Sequence, residues 1–375
     1  MEAQKGRRRF LKYLFSLSAF SAGSIFSLKG TTGFKSGIQG PFTTNPSEAK
    51  AVTSGGSQGQ SRSSSLKIDM FTHIVPKNYA DAVQDIASVM PRLSDLDDRF
   101  RKMDELGETL QVSTLGQPPI EDIADPIKAV DLAKIANDGM AELLAKYPDR
   151  FAGCTAALPM NNPDAAIKEI DRAINDLNLT GIQVFTSING KGLDSPEFIP
   201  LYEKMAQYDR PIWIHPVSNP NHPYYPAEKD STNDFDNSIG WPHTTSMAMM
   251  RIASTGILER FPNLKFITHH SGGTVPYLAN RIGGGPDRYE NLTKPITESL
   301  RLFYYDTAVQ GNTPNLMCAN AFCGIDHQLY GTDFPMADKA LIERVIHSID
   351  EMDITETEKR KIYADNARRI LHLKI

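Results

Sequence analysis

From Leu66 onward, short apolar runs alternate with amphipathic stretches. Eight runs have strand length and β-branched or aromatic character: Lys67–His73, Leu110–Leu115, Ala152–Leu158, Gly181–Phe185, Pro211–His215, Lys265–His269, Leu302–Thr307 and Gln328–Thr332. Helical periodicity fills most of the intervals. Ala129–Lys146 is the clearest case, with Leu132, Ile135, Met140, Leu143 and Leu144 on one face. Gly107 sits where a helix over Asp98–Leu106 should stop, and Asn162-Pro163 opens one running to Ile174. Strands alternating with helices predict parallel β/α units, and eight is the number that closes a (β/α)8, or TIM, barrel. An open doubly wound sheet is the alternative. No Gly-x-Gly-x-x-Gly follows a strand, so that alternative lacks its phosphate loop, and Gly283-Gly284-Gly285 follows a helical pattern and reads as a loop.

Four of the apolar runs end in a polar residue beside a turn signal: His73, His215, His270 and Asp333. A parallel barrel gathers strand ends at one mouth. Imidazoles and a carboxylate collected there suit a divalent metal, with His73, His215 and Asp333 as a three-ligand set. His270 would complete the shell or act as general base. His222, His327, His347 and His372 have no such context and read as surface or structural residues. Period-two geometry places Phe71 on the face of His73. One connection, Val217–His243, is long enough for a lid or substrate wall, and its Tyr224, Tyr225 and Trp241 are expected to line an apolar pocket.

The N-terminal part has another character. Gly6-Arg7-Arg8-Arg9-Phe10-Leu11-Lys12 precedes a weakly apolar run to Leu28 and resembles a twin-arginine export signal. Residues 1–28 are therefore read as a signal segment, 29–65 as a Gly/Ser/Thr-rich linker, and 66–375 as the folded domain. Ala49-Lys50-Ala51 is a candidate cleavage site. Residues 1–65 hold nine Lys/Arg against two Asp/Glu, a net of +7, and the rest hold 31 against 43, a net of −12. A domain that acidic is a poor nucleic-acid binder. Cys154, Cys318 and Cys323 form no disulfide or metal spacing. The expected location is periplasmic, reached through the twin-arginine machinery and membrane-tethered if the signal is kept.

Several motifs occur in order along residues 66–375: Ile68-Asp69-Met70-Phe71-Thr72-His73, Met103-Asp104-Glu105-Leu106-Gly107, Tyr147-Pro148-Asp149-Arg150-Phe151, Ile214-His215-Pro216, Thr268-His269-His270-Ser271-Gly272-Gly273, Tyr330-Gly331-Thr332-Asp333-Phe334-Pro335 and Asn366-Ala367-Arg368-Arg369. Together they resemble the amidohydrolase-related (amidohydrolase 2) family, in the branch of aminocarboxymuconate-semialdehyde and γ-resorcylate decarboxylases. The resemblance implies a (β/α)8 barrel, usually dimeric, with one divalent metal, zinc or manganese. It matches His73, His215 and Asp333 to metal ligands, with Asp333 also catalytic. It matches His270, rather than His269, to the acid/base histidine, and Arg281 to an arginine that reaches a neighbouring subunit's substrate carboxylate. Phe71 departs from the pattern: it occupies the first ligand position, where a phenyl ring cannot ligate. It is expected, with Trp241 and Arg281, to border the substrate.

The resemblance implies a non-oxidative decarboxylase of a small carboxylated or aromatic substrate. A metal-dependent lactone or amide hydrolase is the alternative, and a non-catalytic barrel that has lost a ligand at Phe71 is the third reading.

Overall fold

The computed structural model describes residues 66–83, 91–217, 235–283, 289 and 291–374. The signal segment, linker, candidate cleavage site, His222, Tyr224, Tyr225, Gly284 and Gly285 lie outside the described residues. All eight expected strands form: β1 (Lys67–Ile74), β2 (Thr109–Leu115), β3 (Phe151–Ala156), β4 (Gly181–Phe185), β5 (Ile212–His215), β6 (Phe266–Thr268), β7 (Tyr304–Asp306) and β8 (Gln328–Leu329). They pair in parallel in chain order. The ring is completed by backbone bonds from Met70 N to Tyr330 O (2.8 Å), His73 N to Phe334 O (2.7 Å) and Asp333 N to Phe71 O (2.9 Å).

The principal helices follow the strands: α1 (Leu96–Glu105), α2 (Pro126–Lys146), α3 (Pro163–Asn175), α4 (Ile199–Tyr208), α5 (Trp241–Ser254), α6 (Val275–Gly283), α7 (Thr313–Cys323) and α8 (Lys339–Asp350). Local sequence explains their limits. Asp125 caps α2 by accepting from the N–H groups of Ile127 and Lys128, with proline at the first helical position. The buried stripe of α2 includes Leu132, Met140 and Leu143 as expected, together with Ala129, Ala133 and Ala136, while Ile135 and Leu144 are only partly buried at its edge. Gly107, at φ +83°, provides the left-handed turn after α1. One element was not anticipated, an antiparallel ribbon of Ser187–Ile188 and Lys191–Gly192. Its Asn189-Gly190 turn, both residues at positive φ, was the signal for it.

The inside of the barrel is divided by height. Its lower half is filled by Ile68, Met70, Val112, Trp213, Ile267, Tyr304 and Leu329, and Ala367, Ile370 and Leu371 of the C-terminal helix cover it from below. The Trp213 indole donates across the barrel to Met70 O at 2.8 Å. Each of those large side chains contributes roughly 1.5–3 kcal/mol by burial. The upper half is polar. β5 and β6 pair Ile214 with Thr268, and β6 and β7 pair Thr268 with Tyr305. The next residue on each strand, His215, His269 and Asp306, therefore stands at one level and faces inward.

Candidate active site

His73 ends β1. Its Nδ1 lies 2.8 Å from Thr114 Oγ1 on β2. Its carbonyl oxygen accepts a hydrogen bond from the fully buried Arg99 guanidinium, which also donates to Gln111 and lies over the Phe334 ring at 4.8 Å. Burial pushes Arg99 down to about 10, and it stays charged at neutral pH. One cation thus ties the end of β1 and the interior of β2 to the turn after β8. The opposite tie comes from Asp69, whose carboxylate accepts from Thr332 Oγ1 (2.5 Å), Thr332 N (3.1 Å) and Phe71 N (3.2 Å). Burial raises Asp69 to about 7, opposed by those bonds. Asp333 follows Thr332 at φ +64°, a left-handed conformation held by these anchors.

His215 ends β5. Its Nδ1 is 2.6 Å from Pro216 O, and Gln117 donates to the same carbonyl at 3.1 Å. Burial first, and then the neighbouring His73, hold His215 well below the usual imidazole range. With both Nδ1 atoms engaged, the Nε2 atoms of His73 and His215 face each other at 3.3 Å. His73 Nε2 is also 3.2 Å from Asp333 Oδ1. Donors sharing a metal at about 2.1 Å stand roughly 3.0–3.4 Å apart, and both separations fall there. Among the described residues no three side chains form a complete preformed metal cage. The donors converge as two pairs sharing His73 Nε2, and two imidazole lone pairs face to face are unfavourable without a cation between them.

After β6 the backbone turns sharply. His270, Ser271, Gly272 and Gly273 all have positive φ, from 54° to 69°. A Cβ on Gly273 would collide with Pro242 O and Ser246 Oγ, and one on Gly272 with the Tyr305 ring. This turn separates the two histidines. His270 is half-buried and lines a cavity of about 560 Å³ together with His73, His215, Asp333, Trp241 and Gln117. His269 is fully buried, does not line that cavity, and meets Asp306 Oδ2 through Nδ1 at 2.9 Å. Burial holds His269 well below its ordinary range and lifts Asp306 to about 6. The pair is therefore a neutral imidazole whose N–H donates to the Asp306 carboxylate, despite its ion-pair geometry.

The cavity brings together His73, His215, His270, Asp333 and Trp241, as expected. Three expectations change. Phe71 does not border the cavity: it is fully buried and stacks on His269, with ring centres 3.5 Å apart and planes at 14°. A bulge in β1 between Asp69 and Thr72 accompanies that placement. Trp241 does not lie on a loop but opens α5, with its ring 6.1 Å from His215 and 5.9 Å from His270. Arg281 is exposed on α6 and does not line its own chain's cavity. Among the described lining residues, Arg92 alone carries a permanent positive charge.

Sequence reasoning set His269 aside in favour of His270 and passed over Asp306, Arg92, Gln117 and Arg99. Asp306 ends an apolar run as the other site residues do, and the His269-His270 doublet was visible. Arg92 and Gln117 lie in loops with no pattern to mark them.

The amidohydrolase family's sequence pattern matches residues 68–373. The chain belongs to that family. A relative is the gamma-resorcylate decarboxylase of Rhizobium sp. strain MTP-10005, 31% identical over 323 residues, 78% of this chain and 95% of that one. Another is the 2-amino-3-carboxymuconate-6-semialdehyde decarboxylase of Dictyostelium discoideum, 29% identical over 343 residues, 82% of this chain and 92% of that one. Among solved structures, a dihydroxybenzoic acid decarboxylase from Polaromonas sp. JS666, with bound manganese and 2-nitroresorcinol, superposes with a TM-score of 0.70 at 26% identity, covering 82% of this chain and 97% of that one. A 2,6-dihydroxybenzoate decarboxylase in complex with 2,6-dihydroxybenzoate gives a TM-score of 0.70 at 27% identity, covering 82% and 99%. The (β/α)8 barrel expected from the alternating strands and helices, and the amidohydrolase family that the motifs resemble, are both borne out.

Proposed function

We propose that this amidohydrolase-family chain is a metal-dependent, non-oxidative decarboxylase of a small aromatic or related carboxylate. The observation that carries the reading is the meeting of His73 Nε2 with both His215 Nε2 and Asp333 Oδ1 at the floor of a cavity that His270 also lines. Relatives that are decarboxylases, one of them solved with manganese, support it. His73, His215 and Asp333 would hold one divalent ion, zinc or manganese. Bound there, the ion supplies a Lewis-acid centre for charge developing on the substrate.

The chain's own groups do the rest. Trp241 and Gln117 wall the cavity. Arg92 offers a guanidinium to an anionic substituent. The carbon–carbon bond to the carboxylate breaks, carbon dioxide leaves, and His270 delivers a proton to the carbon that keeps the electron pair. The imidazole then recovers its proton from solvent. Incubation of the metal-loaded protein with hydroxybenzoates and with lactones tests the reading. Carbon dioxide and the decarboxylated arene are expected; ring opening of lactones without carbon dioxide would replace it with the hydrolase.

Two further parts of the reading rest on sequence. We propose that the chain is exported to the periplasm through its Arg7-Arg8 signal; replacing both with lysine should leave the protein in the cytoplasm. We also propose a homodimer in which Arg281, exposed on α6, reaches the partner's substrate site. Light scattering checks the dimer. Arg281→Ala should raise KM and leave metal content unchanged.

A further inference from the structure

The family position for the first metal ligand is a phenylalanine here, and the ring stacked on that phenylalanine belongs to a histidine. We infer that His269 supplies, through Nε2, the metal ligand that Phe71 cannot. The inference rests on the metal-dependent reading above.

Four observations converge on it. First, strand register places His269 at the level of His215, inside the barrel, between His215 and Asp306. Second, its Nδ1 is engaged by Asp306 Oδ2 at 2.9 Å, leaving Nε2 as the lone-pair nitrogen. A carboxylate behind a histidine is the usual outer support of a metal-bound imidazole. Third, His269 Nε2 is buried and has no hydrogen-bond partner. Leaving a buried acceptor unpaired is unfavourable, and a cation removes that cost. Fourth, His269 neighbours the histidine pair that already faces a metal position. Imidazoles sharing a metal at about 2.1 Å have centres roughly 4.5–5.2 Å apart. His73 and His215 are 4.9 Å apart, and His215 and His269 are 5.5 Å apart. The second spacing lies a few tenths of an ångström beyond that range.

Phe71 then has a role. Its flat face fixes the His269 plane from one side while Asp306 fixes its rotation. The donor lost from β1 is replaced from β6, across the barrel. His270 stays free to carry the proton, because the positive-φ turn lifts it away from the row of His215, His269 and Asp306.

The test is spectroscopic and uses the full-length protein loaded with Co²⁺. Paramagnetic proton NMR shows one shifted, exchangeable imidazole N–H for each ligating histidine. Three are expected, from His73, His215 and His269, because each Nδ1 is held by a hydrogen bond. His269→Gln should remove one signal and weaken cobalt binding, measured against a chelator, by about a hundredfold; Asp306→Asn should weaken it by about tenfold. Two signals in the unmodified protein would overturn the assignment, as would unchanged affinity in His269→Gln. If the unmodified protein binds no cobalt, zinc or manganese, the metal-dependent reading fails first and takes this inference with it.

Discussion

The Nε2 atoms of His73 and His215 face each other across 3.3 Å, while each Nδ1 is already committed to Thr114 Oγ1 or Pro216 O. Those outer partners select the tautomer in which both Nε2 atoms carry lone pairs. Replacing either histidine by alanine should lower metal affinity by at least about a hundredfold and take decarboxylation below detection. Metal content after gel filtration and carbon dioxide release check this together.

His270 predicts the opposite split. It lines the cavity but stands apart from the row of His215, His269 and Asp306. His270→Asn should lower kcat by about 10²–10⁴ while metal content stays at the level of the unmodified protein. A parallel loss of metal would mean that His270 is a ligand.

Arg92 is the one permanent cation among the described residues lining the cavity. A hydrogen bond to a charged group contributes about 1.5–3 kcal/mol. Arg92→Ala should therefore reduce kcat/KM for a carboxylated substrate by about 10- to 100-fold, with the Tm unchanged. Steady-state kinetics on the acid and its uncharged amide analogue separate this from a packing effect.

Gly273 makes the turn behind His270 possible. At φ +62°, with Pro242 O and Ser246 Oγ where a Cβ would stand, it admits no side chain without moving backbone. Gly273→Ala should cost at least ~2 kcal/mol of stability and displace His270. Denaturant unfolding gives the first quantity and kcat the second.

Glu121 gives a pH signature. It is 7% exposed, one carboxylate oxygen has no partner, and burial raises its pKa to about 8. The folded chain holds this proton more tightly than the unfolded one, so stability falls as pH rises from about 4.5 to about 8 and is flat above. Glu121→Gln removes the ionisation. Its Tm should gain on the unmodified protein as pH rises through that window, with the largest gap at pH 8 and above. Thermal melts at pH 5 and pH 8 decide it.

Much of this molecule was legible in one dimension. The eight strands are short because apolar runs of that length alternate with 3.6-periodic stretches, and Asp125, Gly107 and Asn162 set helix limits through local hydrogen bonds and local φ. His73, His215, His270 and Asp333 were visible for a similar reason, each being a polar residue closing an apolar run before a turn. Backbone chemistry at that range needs no knowledge of distant contacts. The tertiary structure decided everything that depends on what faces what. Phe71 sits where a metal ligand or substrate contact was expected, yet it packs on His269, a residue almost two hundred positions away on another strand. Resemblance alone separated His269 from His270; in the structure a turn of positive φ leaves His269 buried inside the barrel and sends His270 into the cavity. Arg281 and Trp241 were named from motif and composition, but only the placement of α5 and α6 puts the tryptophan in the cavity and the arginine on the outside. The physical reason is the same throughout. Periodicity and capping are properties of neighbours in the chain, whereas a ligand set is a property of strand register around a closed ring.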